Sequence, residues 1–124
     1  MKQGILSGKY KDGIPSDSRF AQTQVEFINA FVKRTAGEIF QGWVDTVNKL
    51  TPIAERLGVK MSTLALGWVI KNENVSSAIM GASSVEQVWE NVRALAVLDK
   101  LTPEVLEEIE GILNNKPPAL ADRF

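Results

Sequence analysis

The sequence has no cysteine, no histidine and a single tyrosine. Without cysteine there is no disulfide framework, no thiolate nucleophile and no zinc–thiolate site. Without histidine the commonest general base and the commonest metal ligand are missing. Most familiar active sites therefore cannot be assembled from these residues alone. Charge of one sign is also lacking: 14 lysines and arginines face 15 acids, for a net charge of -1. Such a balance gives no reason to expect nucleic acid or an anionic membrane as a partner. No apolar run approaches the roughly 18 residues of a membrane-spanning candidate. Met1-Lys2-Gln3-Gly4-Ile5 has no signal-peptide apolar core. A reducing interior, the cytoplasm, fits the missing cysteines.

What is present is ordinary for a soluble globular chain. Hydrophobic residues make up 44% and charged residues 23%. The 124 residues suffice for one domain, 1–124. Residues 1–24 are rich in turn formers, among them Gly4, Gly8, Gly13, Pro15, Ser16, Asp17 and Ser18. They read as one long loop, and long loops in compact proteins are functional or disordered. Residues 25–74 read as helices. Phe27, Ala30 and Phe31 recur at i, i+3, i+4, and Leu50, Ile53, Ala54 and Leu57 at i, i+3, i+4, i+7. Thr51-Pro52 either begins that second stripe or kinks a longer helix. Gly58 stands where a C-cap glycine belongs. Met61, Leu64, Ala65 and Trp68 mark the next helix, fading near Asn72 to Asn74.

Val75-Ser76-Ser77-Ala78-Ile79-Met80 reads as one short buried strand, 75–80. Residues 81–115 then carry two more helices. Val85, Val88, Trp89 and Val92 form one apolar stripe, expected in the core. Thr102-Pro103-Glu104 opens the last helix with an N-cap, a first-turn proline and an acid; it runs to about Asn114. One strand among four or five helices is a contradiction, because a buried lone strand leaves backbone N–H and C=O groups without partners. The expected fold class is therefore α/β, with this chain as part of a larger sheet protein: mostly helical, about one strand.

The stretch Gly81-Ala82-Ser83-Ser84-Val85-Glu86-Gln87-Val88-Trp89-Glu90-Asn91 admits two accounts. In one it only caps a helix: Ser83 with Glu86, or Ser84 with Gln87, has capping-box spacing, and Glu90 and Asn91 are solvated. In the other it binds a ligand. A helix opening just after a strand aims free N–H groups and a positive dipole end at the crevice where α/β proteins bind ligands. Serine hydroxyls can donate to phosphate, a carboxylate can accept from adenine's exocyclic amine, and a carboxamide can do both. Gln87 with Glu90 and Gln87 with Asn91 stand at i, i+3 and i, i+4, so the three share a face.

This stretch resembles the C-terminal cofactor motif of the aldo-keto reductases, most closely the branch containing the β-subunits of voltage-gated potassium channels. Gly4-Ile5-Leu6-Ser7-Gly8-Lys9-Tyr10, then Gly13-Ile14-Pro15 and Ser18-Arg19, is similar to the family segment after the seventh barrel strand. Ile53-Ala54-Glu55-Arg56-Leu57-Gly58 and Leu64-Ala65-Leu66-Gly67-Trp68 match its seventh helical layer. Val75-Ser76-Ser77 through Gly81-Ala82-Ser83 matches the eighth strand and turn, and Asn114-Asn115-Lys116-Pro117 the end of the final helix. The resemblance implies the C-terminal part of a (β/α)8 TIM barrel, whose strands place the active site at their C-terminal ends.

It also implies roles. Lys9 and Arg19 would contact the phosphates of NADP(H) from the loop at 1–24. Gly81 and Ser83 would contact it at the turn, and Gln87, Glu90 and Asn91 would hold the adenosine end. Two fixed positive charges suit a pyrophosphate and a 2′-phosphate; solvated surface charges are the plainer account of the same two residues. Two departures stand out. Many reductases of this fold carry an arginine where Gln87 stands, so preference for NADP over NAD rests more on Lys9 and Arg19. Asp17 falls where the channel branch can show a tyrosine, and no contact is assigned to it.

In the family this stretch resembles, the catalytic aspartate, tyrosine, lysine and histidine (or its substitute) come from the first half of the barrel, and no residue here matches them. Tyr10 belongs to the Gly8-Lys9-Tyr10 segment and is expected to pack in the loop. Trp43, Trp68 and Trp89 are expected to pack in helices. The expectation is a cofactor half-site: the NADPH-binding part of a cytoplasmic carbonyl reductase acting on a small aldehyde or ketone. Two other readings stay open. One is a redox-sensing, channel-β-like binding protein, a homo-oligomer (tetrameric in that branch) docked on a potassium channel α-subunit. The other is an inactive truncated product.

Overall fold

The computed structural model describes residues 2–8, 10, 16 and 26–116. Lys9, Arg19 and most of the expected loop at 1–24 lie outside them. The loop opens with a 3-10 helix, Lys2–Ser7. It ends at Gly8, whose φ of 76° lies in the left-handed region that glycine enters without a Cβ penalty. Ile5 is buried, and Tyr10, 2% exposed, packs edge-on against Phe40 with ring centroids 5.4 Å apart. Tyr10 is thus the packing aromatic that its segment suggests.

Helix α1 runs unbroken over Glu26–Arg56, with Pro52 inside it. Of the two accounts of Thr51-Pro52, the longer helix holds. The Thr51 hydroxyl donates back to the Val47 carbonyl at 3.0 Å, so it caps nothing. An interior proline costs about 3 kcal/mol. Burying the neighbouring Leu50 and Ile53 side chains returns about 1.5–3 kcal/mol each, enough to offset it. The helix stops at Gly58 (φ 69°), where Val59 N–H donates to the Ala54 carbonyl and Gly58 N–H to that of Glu55. This is the two-bond Schellman ending. Lys100 Nζ donates to the Leu57 carbonyl at 2.9 Å, adding a cation at the helix's negative end.

Helix α2, Met61–Lys71, is buried on several sides at once and is the central element. It packs against α1, α3 and both 3-10 helices. Helix α3, Val85–Val92, passes at Arg93 into a second 3-10 helix, Arg93–Lys100. Helix α4, Pro103–Leu113, starts on a Thr102 N-cap that accepts from Val105 N–H, and ends at Asn114 in the left-handed conformation. The start and end expected for it both hold. One core joins the second half of α1, α2, the second 3-10 helix and α4. At its centre are Ile53, Leu64, Val97 and Leu101. Arg56 ties α1 to α4 through both oxygens of Glu108.

Two expectations are overturned. Residues 75–80 form no strand, and the described residues contain only helices and irregular segments. A strand is held by a ladder to a neighbour; none is present among the described residues, and Ile79, expected buried, is 99% exposed. The apolar stripe of α3 is also outside the core: Val85, Val88, Trp89 and Val92 are exposed, Trp89 by 64%. Polar contacts on the opposite side of α3 orient it, and those contacts belong to the candidate site.

Candidate functional site

Ser84 is the N-cap of α3. Its backbone is extended (φ −145°, ψ 161°), and its hydroxyl accepts from Gln87 N–H at 3.3 Å. Of the two capping-box spacings, Ser84 with Gln87 is therefore the one that caps. The return contact is displaced by one residue. Gln87 Oε1 accepts from Ser83 N–H at 2.9 Å and from the Ser83 hydroxyl at 3.1 Å, not from the backbone of the N-cap itself. Ser83 and Gln87, two of the sequence-predicted site residues, are thus in direct contact. The carbonyl side of the Gln87 carboxamide is engaged, and its amide nitrogen remains a donor.

Glu86 lies in the first turn. A hydrogen bond to its own backbone N–H, then the Ser84 hydroxyl, holds its carboxyl below the ordinary carboxylate range. Gly81 is exposed, and a Cβ placed on it would meet nothing within 4 Å. Packing within the chain does not require glycine there. Gly81 and Ser83 are exposed beside the α3 N-terminus, where the Ser84 hydroxyl and the Glu86 carboxylate already engage the Gln87 and Glu86 N–H groups.

Glu90 and Asn91 do not behave as solvated residues. Asn91 is 6% exposed. Glu90 turns toward the start of α2. Its Oε2 takes a hydrogen bond from Lys60 Nζ at 2.6 Å, and its Oε1 takes one from the Ser62 hydroxyl. The Lys60 hydrogen bond foremost, then that of Ser62 and the positive charges of Lys60 and Arg93, hold the Glu90 carboxyl below its ordinary range. The Glu90–Asn91 edge of α3 therefore meets α2, while Glu86 and Gln87 stay exposed and the apolar side faces out. Lys60 and Ser62 have no motif of their own. The signal that could have found them is their place at the α2 start, directly after the Gly58 helix stop.

The described residues hold no group of acids that could bind a metal, and no helix long and apolar enough to cross a membrane. A groove of about 590 Å³ lies beside the end of α2 and the start of α4, lined by Lys71, Glu73, Asp99 and Leu106 among others. None of the predicted site residues lines it. The polar face of α3 is the better candidate.

The aldo/keto reductase family profile matches residues 1–114. A Schizosaccharomyces pombe protein, provisionally named voltage-gated potassium channel subunit beta, is 44% identical over 117 residues, 94% of this chain and 33% of that protein. An Oryza sativa subsp. japonica protein with a similarly provisional name of the same meaning is 42% identical over 118 residues, 94% of this chain and 34% of its own length. The chain thus spans about a third of the length of these curated relatives.

Proposed function

Because the chain belongs to the aldo/keto reductase family, we propose that it contributes the adenosine grip of an NADP(H)-binding carbonyl reductase. The observation that carries this reading is the grouping of five residues at the start of α3: Gly81 and Ser83 at the turn, Gln87 bonded back to Ser83, then Glu90 and Asn91 along the same side. The donor set fits an adenosine. The Gln87 amide can donate to a ring nitrogen or ribose oxygen, and the ionised Glu90 carboxylate can accept from the exocyclic amine; Asn91, 6% exposed, is the member of the set that packing within the chain already covers. Gly81 leaves room for close backbone approach. Lys9 and Arg19 complete the reading as the phosphate contacts.

When bound, the cofactor supplies the hydride for carbonyl reduction. The residues of this chain bind and orient its adenosine end. We place the proton-transfer chemistry in the part of the relatives that this chain does not span, as part of a (β/α)8 barrel. Two observations support that division. The sequence has no histidine, and its one tyrosine is buried against Phe40. The substrate class is a small aldehyde or ketone, and the setting is the cytoplasm.

A second reading is favoured by the names of the two relatives. In it the same grip serves a potassium-channel-associated β-subunit, where bound NADP(H) reports redox state and the protein assembles as a homo-oligomer. Both readings need the nucleotide site. Calorimetric titration with adenosine 2′,5′-bisphosphate tests it. The expected result is saturable binding that Lys9→Ala or Arg19→Ala weakens by about tenfold, the scale of one charge-assisted contact. Equal affinity in wild type and both variants would remove Lys9 and Arg19 from the site.

A further inference from the structure

We propose that Lys60 and Ser62 are positioning residues for the Glu90 carboxylate, fixing it as an acceptor selective for the exocyclic amine of adenine. The inference rests on the nucleotide reading above and adds the element that would make the site read the base.

Two side chains from the start of α2 converge on one carboxylate of α3. Lys60 is the N-cap residue of α2, but its ammonium, with no acceptor, cannot cap that helix. It reaches instead to Glu90 Oε2, 30 positions along the chain. Ser62, 4% exposed, gives its hydroxyl to Oε1 of the same group. Each oxygen has one partner, so the plane of the carboxylate is set. An unpartnered glutamate would rotate about its last torsion, where the energy well is broad. An ionised carboxylate offers about four acceptor directions, of which these contacts use two. The group therefore keeps capacity to accept from a ligand.

The arrangement contributes little as a stability device. Lys60 is largely exposed, and an exposed ion pair adds only about 0–1 kcal/mol. Its consequence is orientational. The apolar side of α3 points outward, so the contacts to Glu90 and the burial of Asn91 decide which face of α3 meets α2. They also set where Gln87, one turn earlier, stands. A fixed, ionised acceptor discriminates sharply between base edges. Adenine presents an N–H donor there. Hypoxanthine presents a carbonyl oxygen, which would place two acceptors against each other.

The test compares NADPH with its reduced hypoxanthine analogue by equilibrium titration of the full chain. Wild type is expected to favour NADPH by about tenfold or more, the range of a hydrogen bond to a charged group. The double variant Lys60→Met, Ser62→Ala is expected to bring that ratio below about threefold, with affinity for the hypoxanthine analogue unchanged. Ser62→Thr with Lys60→Arg should retain the ratio, because both donors remain. Circular dichroism checks the helix content of every variant, and Ser62→Ala alone serves if the double variant is less helical. A carboxyl-carbon NMR titration of Glu90 provides a nucleotide-free readout: its midpoint should rise toward the ordinary value in Lys60→Met. An unchanged midpoint, or full discrimination kept by the double variant, would overturn the positioning role alone. Wild type that binds both nucleotides equally, or neither, would overturn the nucleotide reading at Glu90 and this inference with it.

Discussion

Gly67 of α2 and Val97 of the second 3-10 helix touch so closely that a Cβ at position 67 would lie 2.3 Å from Val97 Cγ1. Leu101 Cδ1 and the Ala94 carbonyl stand behind it at 3.4 and 3.5 Å. Glycine here is a packing requirement, since its φ is not in the left-handed region. Gly67→Ala improves helix propensity by about 1 kcal/mol but forces α2 and the 3-10 helix apart, at about 1–3 kcal/mol. The clash wins or breaks even, and urea unfolding should show a net loss of up to about 2 kcal/mol. Adding Val97→Ala to Gly67→Ala should recover part of that loss, because it removes the atom that is struck.

Acid should unfold the chain through its paired carboxylates. The Glu90 carboxyl is held below its ordinary value of 4.5, foremost by the Lys60 hydrogen bond. A group depressed in the folded state adds stability above its unfolded value and loses it as pH falls through its folded value. Glu108, through Arg56, and Glu104, through Thr102 and its own backbone N–H, shift in the same direction. The thermal midpoint should therefore drop between about pH 5 and pH 3, where depressed carboxylates take up protons. Glu90→Gln should flatten that slope and cost less than about 1 kcal/mol at neutral pH.

Trp89 should report the outward face of α3. It is the most exposed of the three tryptophans; Trp43 is borderline and Trp68 is packed against the core. Acrylamide should quench the emission in two populations, and Trp89→Phe should remove most of the readily quenched one. A stripe buried in the core, as its periodicity alone suggests, would leave quenching unchanged by that substitution.

Local signals in the sequence proved reliable where a short-range bond decides the outcome. The Gly58 stop, the Thr102-Pro103-Glu104 start, the Asn114 end and the pairing of Ser84 with Gln87 are each settled within four or five residues. Thr51-Pro52 was ambiguous because burial of Leu50 and Ile53 on either side decides it. The stretch at 75–80 has a strand's composition but finds no ladder among the described residues. The stripe at Val85, Val88, Trp89 and Val92 marks an amphipathic helix correctly, yet periodicity does not say which face meets a neighbour. The partners of Glu90 come from 28 and 30 residues earlier, beyond any local pattern. Lys9 and Arg19, the proposed phosphate contacts, lie outside the described residues.

The central claim is that these residues hold the adenosine end of NADP(H). Its most direct test is a titration of the purified chain with NADPH and with NADH, following energy transfer from tryptophan to the reduced nicotinamide. Trp89 sits in α3 between Gln87 and Glu90, so bound cofactor should accept its emission. The account predicts saturable transfer that is stronger for NADPH than for NADH. No transfer with either nucleotide, from a chain whose helix content is intact, would contradict it.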